Sequence, residues 1–337
     1  MPRQLRSQRG VGLVELMVSI TIGLVILAGV LQLYATSMEN QRSQEGFARI
    51  QENMRYLLNR LETDISQAGF TGCFPFTSDR ITVTLQNDVG VGMLYDFSSF
   101  ITGTNDTNDN GGLLSDTLTI RYASGRGAIP LASPMANSLA DVVLDTNDPD
   151  YDSLEQHDIV MVSDCSRAAV FMITNDPGGD GALKHNTTTQ DGDGQKNVTE
   201  DLENQFGLAG VDGGSRAFVY SGATGAHSYA IRTSAAAGAG QTCATATPQF
   251  CAMFRNNVEL VDGVEDFQLE FGWRTAAGNL RFATAAGVGA ANWSEVDRVR
   301  VNLTFNSVQR SRANDGDELV RRTVERVVMI RNQLPAI

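Results

Sequence analysis

A chain of 337 residues with 42% hydrophobic content has material for one large domain or two ordinary ones, and its 33 glycines beside 7% aromatics suit a loop-rich β protein better than a helical bundle. A formal net charge of −13 repels phosphate backbones, so general nucleic-acid binding is disfavoured. The four cysteines, Cys73, Cys165, Cys243 and Cys251, form no Cys-x-x-Cys pair, which argues against a zinc knuckle or a thioredoxin-like motif and fits an oxidising compartment.

Residues 1–10, MPRQLRSQRG, carry Arg3, Arg6 and Arg9 and no acid, and basic flanks of a span stay on the cytoplasmic side. The run Val11–Leu31 follows with a single charge, Glu15; at about 1.5 Å per residue it reaches roughly 31 Å, the thickness of a bilayer core. The apolar region of a secretory signal is only about 7–15 residues and ends at a small-residue cleavage site. This run is longer and continues as helix, so it reads as a single-span anchor with the N-terminus inside. Glu15 is the anomaly: a carboxylate at bilayer depth costs a few kcal/mol unless it is interfacial, protonated or paired. It either snorkels to the interface or waits for a partner.

Beyond Leu33 the pattern turns amphipathic. Phe47, Ile50, Met54, Leu57, Leu58, Leu61, Ile65 and Ala68 recur at steps of three and four, and Gly69 offers a stop. One helix is therefore expected from Val11 to Ala68. Its stripe holds no strict seven-residue repeat, so a helix lying on a sheet is preferred to a coiled coil. Gly46 within it is a weak point of about 1 kcal/mol. From Gly69 the signals are β: RITVTL (80–85), DTLTIRYA (116–123), DIVMVS (158–163), AVFMIT (169–174), RAFVYS (216–221) and HSYAIRT (227–233). VEDFQLEFGWR (264–274) and VDRVRVNLTFNSV (296–308) alternate apolar and polar residues, as strands with one wet face do, and a last strand is expected across 319–332. The polar loops at 103–112, 145–152, 175–197 and 233–243 cannot form cores of their own, and 175–215 reads as poorly ordered. The fold class is α+β, with a long N-terminal helix, transmembrane then amphipathic, packed on a predominantly antiparallel β head.

Gly10 followed by VGLVELMVSITIG resembles the class III signal of type IV prepilins and pseudopilins. The resemblance implies cleavage by the prepilin peptidase between Gly10 and Val11, N-methylation of Val11, and a role for Glu15 as the carboxylate that sets register between subunits by meeting a neighbour's N-terminal amine. Val11 stands where Phe or Met is commoner, and Gly12-Leu13-Val14 replaces Thr-Leu-Ile; both departures stay small or apolar. The order GFTGC (69–73), SDTLTIRYA (115–123), VSDCSRAAVF (162–171), LVDGVEDFQLEFG (260–272) and WSEVDRVRVNLTFNS (293–307) is similar to the PilW family of type IV pilus minor pilins. That resemblance implies three parts: a leader over 1–10, a helix over 11–68 with its span at 11–31, and a periplasmic head over 69–337. It implies a structural subunit of the tip complex that primes pilus assembly for twitching motility and adhesion. The expected partners are the prepilin peptidase, the major pilin and other minor pilins, a tip adhesin-like protein and the inner-membrane assembly platform. The subunit would wait in the inner membrane and end at the pilus tip. A type II secretion minor pseudopilin and a pilin-anchored adhesin are the alternatives. DNA capture suits the charge badly, since loss of Arg3, Arg6 and Arg9 takes −13 to −16.

Four cysteines permit three pairings. Cys73–Cys165, tying the helix end to the sheet, and Cys243–Cys251, stapling a Gly/Ala-rich loop, are expected at about 2–4 kcal/mol each, with four free thiols as the alternative. Asp106, Asn108, Asn110 and Gly111 copy the opening of a calcium loop, and Asp191 and Asp193 echo it. The twelfth position, where a bidentate Glu belongs, is Thr117, and such loops are more often plain turns. His157, His185 and His227 have no recognisable catalytic partner, and the sequence holds no H-E-x-x-H, G-x-S-x-G or Walker A motif. Neither an enzymatic role nor a cofactor is expected.

Overall fold

The computed structural model describes residues 12–72, 80–86, 99–107, 113–123, 128–164, 166–178, 180–207, 217–220, 224–309 and 319–333. A proline-free stretch builds α1 (Leu13–Gln67), 55 residues and about 82 Å long. It stops where Ala68 turns extended and Gly69 takes a positive φ of 71°. The Asn332 side-chain amide, arriving from the far end of the chain, donates to the Gln67 and Ala68 carbonyls at 3.3 and 3.1 Å and satisfies groups that a helix end leaves open.

Along the chain follow β1 (Ile81–Val83), β2 (Ile101–Thr107), β3 (Ser115–Ala123), β4 (Ala128–Pro130), β5 (Val142–Val143), β6 (Ile159–Ser163), β7 (Ala168–Met172) and β8 (Ala182–Leu183). Then come β9 (Phe218–Tyr220), β10 (Thr224–Thr233), β11 (Cys251–Arg255), β12 (Val258–Asp262), β13 (Val264–Arg274), β14 (Leu280–Ala283), the short α2 (Ala285–Val288), β15 (Val296–Asn306) and β16 (Arg321–Met329). They form three main sheets, ordered β1-β7-β6-β9-β4, β12-β11-β10-β3-β2 and β14-β13-β15-β16, with β5 and β8 as a separate pair. Pairing is antiparallel except between β1 and β7.

The two kinds of strand signal correspond to two kinds of environment. In β13 and β15, Phe267, Leu269, Phe271, Val299, Val301, Leu303 and Phe305 are buried while Gln268, Glu270, Arg298, Arg300, Asn302 and Thr304 between them are half-buried. The continuous apolar runs of β6 and β7 do not alternate because their sheet is covered on both sides. Met161, Ala168, Val170 and Met172 enter the main core, and Val160, Val162, Ala169 and Phe171 enter a second one.

That second core corrects the reading of poor order for the described part of 175–215, residues 175–178 and 180–207; 179 and 208–215 lie outside the described residues. Leu183, Leu202 and Phe206 are fully buried in it. Asn197, also fully buried, donates from Nδ2 to the Met172 carbonyl and accepts at Oδ1 from the Met172 amide, both at 2.9 Å. A polar segment is thus pinned by a few apolar residues and one amide side chain. The expected loop 103–112 begins as β2, whose Gly103 lies so close to Phe271 that a Cβ would stand 2.6 Å from Cζ. The hairpin β11–β12 was also unexpected, and its turn is Asn256-Asn257, both at positive φ.

The second half of α1 rests on the head. Ile50, Leu57, Leu61 and Ile65 are buried, whereas Phe47, part of the expected stripe, is 42% exposed because the buried line begins at Gly46 and Phe47 stands about 100° around the helix from it. Gly46 also has a packing reason: a Cβ there would come within 2.9 Å of Ser307 Cβ. Helix propensity alone favours Ala over Gly by about 1 kcal/mol. Gly46→Ala is nonetheless expected to destabilise the chain, by about 1–3 kcal/mol, because the clash forces α1 off the sheet end; a raised denaturation midpoint would refute this.

Candidate assembly site

The apolar half of α1 is exposed along its whole length. Its most hydrophobic window has a mean hydropathy of 2.4 and no buried residue, and single side chains such as Leu13 and Leu33 are 77% and 72% exposed. A helix apolar all round buries its surface in lipid or among other helices. Glu15 lies in the first turn, after an N-cap, Gly12, that offers no side-chain acceptor. The first amides are therefore open and carry the positive end of the helix dipole, and a carboxylate in that turn complements it. Gly10 and Val11 lie outside the described residues.

The exposed rod is fastened to the head by a buried polar cluster that sequence reasoning missed. Asp64, only 1% exposed, accepts from the Tyr229 hydroxyl at 2.7 Å, the Tyr122 hydroxyl at 3.1 Å and Arg255 Nε at 2.7 Å, with Arg60 Nε at 3.5 Å. β3 supplies Tyr122, β10 Tyr229 and β11 Arg255, so one helical carboxylate ties α1 to three adjacent strands. Burial and the Asp64 charge push the Tyr122 hydroxyl up to about 12 and raise Tyr229 further, so both stay protonated donors. A second tie sits nearer the apolar end: Asp262 pairs with Arg49 at 2.7 Å and accepts from Asn53 at 3.0 Å. The available sequence signal was position: Asp64 stands three residues after Leu61 and seven after Leu57, on the apolar stripe.

His227 borders this cluster, its ring 4.7 Å from Tyr122, its Nδ1 3.1 Å from Asn256 Nδ2 and its Nε2 buried without a hydrogen-bond partner. Burial first, and the Arg255 charge second, lower its pKa from 6.5 to about 4, against the opposing pull of Asp64. The unfolded chain therefore binds the extra proton between about pH 6.5 and 4. The contribution of neutral His227 is complete above pH 6.5 and is lost as pH falls toward 4. Unfolding midpoints measured across that window should drop with acidification, and a His227→Asn variant should show a shallower drop.

Of the other expected residues, Cys243 and Cys251 form a disulfide bond, closing a loop with a sequence separation of 8. Cys73, Cys165, Asn108, Asn110 and Gly111 lie outside the described residues. Asp106 adopts a positive φ of 50° and accepts from Asn105, while its amide donates to Asp116 at 2.9 Å. Thr117 is in β3, with its hydroxyl 2.6 Å from that of Thr104. Asp191 Oδ1 accepts from the Asp193 and Gln195 amides and closes a turn. His185 is buried against Phe171, 3.1 Å from the Ala140 carbonyl. Among the described residues no group of three or more His, Cys, Asp or Glu side chains could hold a metal ion.

A bare apolar rod clamped to an antiparallel β head is the build of a membrane-anchored stem-and-head subunit, and residues 5–31 match the family described as the prokaryotic N-terminal methylation motif. Residues 228–323, from β10 to the start of β16, match the family described as Type IV Pilus-assembly protein W. Together the two matches support a type IV pilus-related pilin, a class of structural proteins that interact with the prepilin peptidase and other pilus components, and the motif with its apolar helix points to membrane anchoring. No curated protein and no solved structure matches the chain significantly.

Proposed function

We propose that the chain is a minor type IV pilin of the tip complex that primes pilus assembly. In this reading residues 1–10 are removed on the cytoplasmic side, Val11 becomes the methylated N-terminus, and the span 11–31 holds the subunit in the inner membrane until its stem joins those of the major pilin and other minor pilins. The head over 69–337 stands in the periplasm and ends at the pilus tip, beside an adhesin-like partner. The single observation that carries the proposal is the naked apolar half of α1 with one acid in its first turn. An isolated subunit leaves that surface to lipid, and a bundle of stems covers it with its own kind. Glu15 then meets the amine of a neighbouring Val11, a pairing strongly favoured in low dielectric over leaving either charge alone. Cys73–Cys165 completes the covalent ties of the head in this reading. The match to the pilus-assembly family favours a pilus over a secretion pseudopilus. Intact-mass analysis of the membrane form is the test. A chain starting at methylated Val11 is expected, together with few surface pili in a strain lacking the gene. A chain starting at Met1 in cells with active prepilin peptidase would overturn the proposal.

A further inference from the structure

A sheet edge is a row of unpaired backbone groups, and proteins guard such edges by keeping them short, bulged or interrupted with proline. Most described edges of this head are guarded. β1 has three residues, β4 has three and ends in Pro130, and β14 has four. β12 and β2 pair with register breaks, between Met253 and Phe254 and between Thr104 and Thr107. β16 differs. It runs for nine residues at the end of its sheet, in unbroken register with β15 from Arg321 to Met329, without proline. Most of its residues are exposed, and Val327 and Met329 are each 46% exposed on one face.

The edge is also charged against the rest of the molecule. Three arginines, Arg321, Arg322 and Arg326, against one acid, Glu325, give a local excess of two positive charges (3 − 1) in a chain of net charge −13. Arg321 is held by Glu265 at 2.6 Å and Arg326 reaches Glu62 on the stem at 3.6 Å. Arg322 is exposed and has no ion-pair partner among the described residues.

We propose that β16 is a docking edge for an extended strand from a different subunit of the pilus, acidic opposite Arg322 and apolar opposite Val327 and Met329. This rests on the pilin reading above. Strand addition takes its affinity from backbone hydrogen bonds and its selectivity from alternate side chains. The charges oppose a second copy of β16 as the occupant. Antiparallel self-pairing about a two-fold axis normal to the sheet sets residues of the same face opposite each other. The three registers that join the most residues are centred on Glu325, Arg326 and Val324. They place Glu325 against Glu325, Arg326 against Arg326, and Arg322 against Arg326 twice. Like charges directly opposite destabilise a strand pair. The position suits a neighbour in a bundle, because β16 lies beside α1 and Arg326 touches it.

The test uses the full chain in piliated cells with the photo-crosslinker p-benzoylphenylalanine at Thr323, and separately at Tyr34 on the exposed stem. From Thr323 a crosslink to another pilus subunit is expected, mapped by peptide mass spectrometry to an acidic extended segment. Arg322→Glu should lower its yield by about tenfold, since like-charge contacts across an interface are strongly unfavourable, while leader cleavage and the unfolding midpoint stay unchanged. A Thr323 crosslink to a second copy of this chain, or one unaffected by Arg322→Glu, would overturn the proposal. So would silence at Thr323 with Tyr34 still crosslinking to sister stems, and the pilin reading would then stand. Silence at both positions with an uncleaved leader would remove the pilin reading itself.

Discussion

Replacing Asp64 with alanine is expected to destabilise the chain by about 3–5 kcal/mol, the range seen when one member of a buried ion pair is deleted. The substitution leaves Arg255, whose side chain is 17% exposed, without its carboxylate. It also strips the acceptor from two buried hydroxyls, Tyr122 and Tyr229. Asp64→Asn keeps an acceptor for the tyrosines and removes only the charge, so it should fall between wild type and alanine. Denaturant midpoints of the detergent-solubilised chain would rank the three. Amide exchange along Ile50–Ile65 should rise most in the alanine variant, because α1 loses the contact that joins it to β3, β10 and β11. Equal midpoints for wild type and alanine would mean that apolar packing alone holds the stem.

The second large effect is expected at Glu15. Glu15→Val makes the span more apolar, so membrane insertion and removal of residues 1–10 should proceed as in wild type. Incorporation into filaments should fall by more than about a hundredfold, as expected when a pair in low dielectric loses one partner and the other charge stays behind. Quantifying the protein in sheared pili against the membrane fraction reads this directly. A Glu15→Val protein present in pili at wild-type level would count decisively against the register role.

The sequence carried the stem and the alternating strands because their signals are local. A run of apolar residues from Leu13 to Leu33, or the spacing of Phe267, Leu269, Phe271 and Trp273, needs no knowledge of what lies opposite. The hairpin at Asn256-Asn257 was also local and was overlooked: two adjacent asparagines between apolar runs are a turn signal. Other features were set by distant partners. Asp64 reads as one more polar helical residue until Tyr122, Tyr229 and Arg255 converge on it across 58, 165 and 191 positions. β2 looks like a polar loop, ITGTNDT, and becomes a strand because β3 pairs with it. The segment 175–207 has the composition of a coil and is ordered by Leu183, Leu202 and Phe206 meeting one face of the first sheet.

The unbroken course of α1 has a mechanical consequence. Between Tyr34 and Glu45 the helix runs on without a proline or glycine hinge. Anchor and head therefore behave as the two ends of one shaft. Each residue added or removed there would turn the head by about 100° relative to the apolar end and shift it along the helix axis by about 1.5 Å. The compass bearing of the β16 edge is thus fixed by the azimuth of Glu15, at the far end of the same helix.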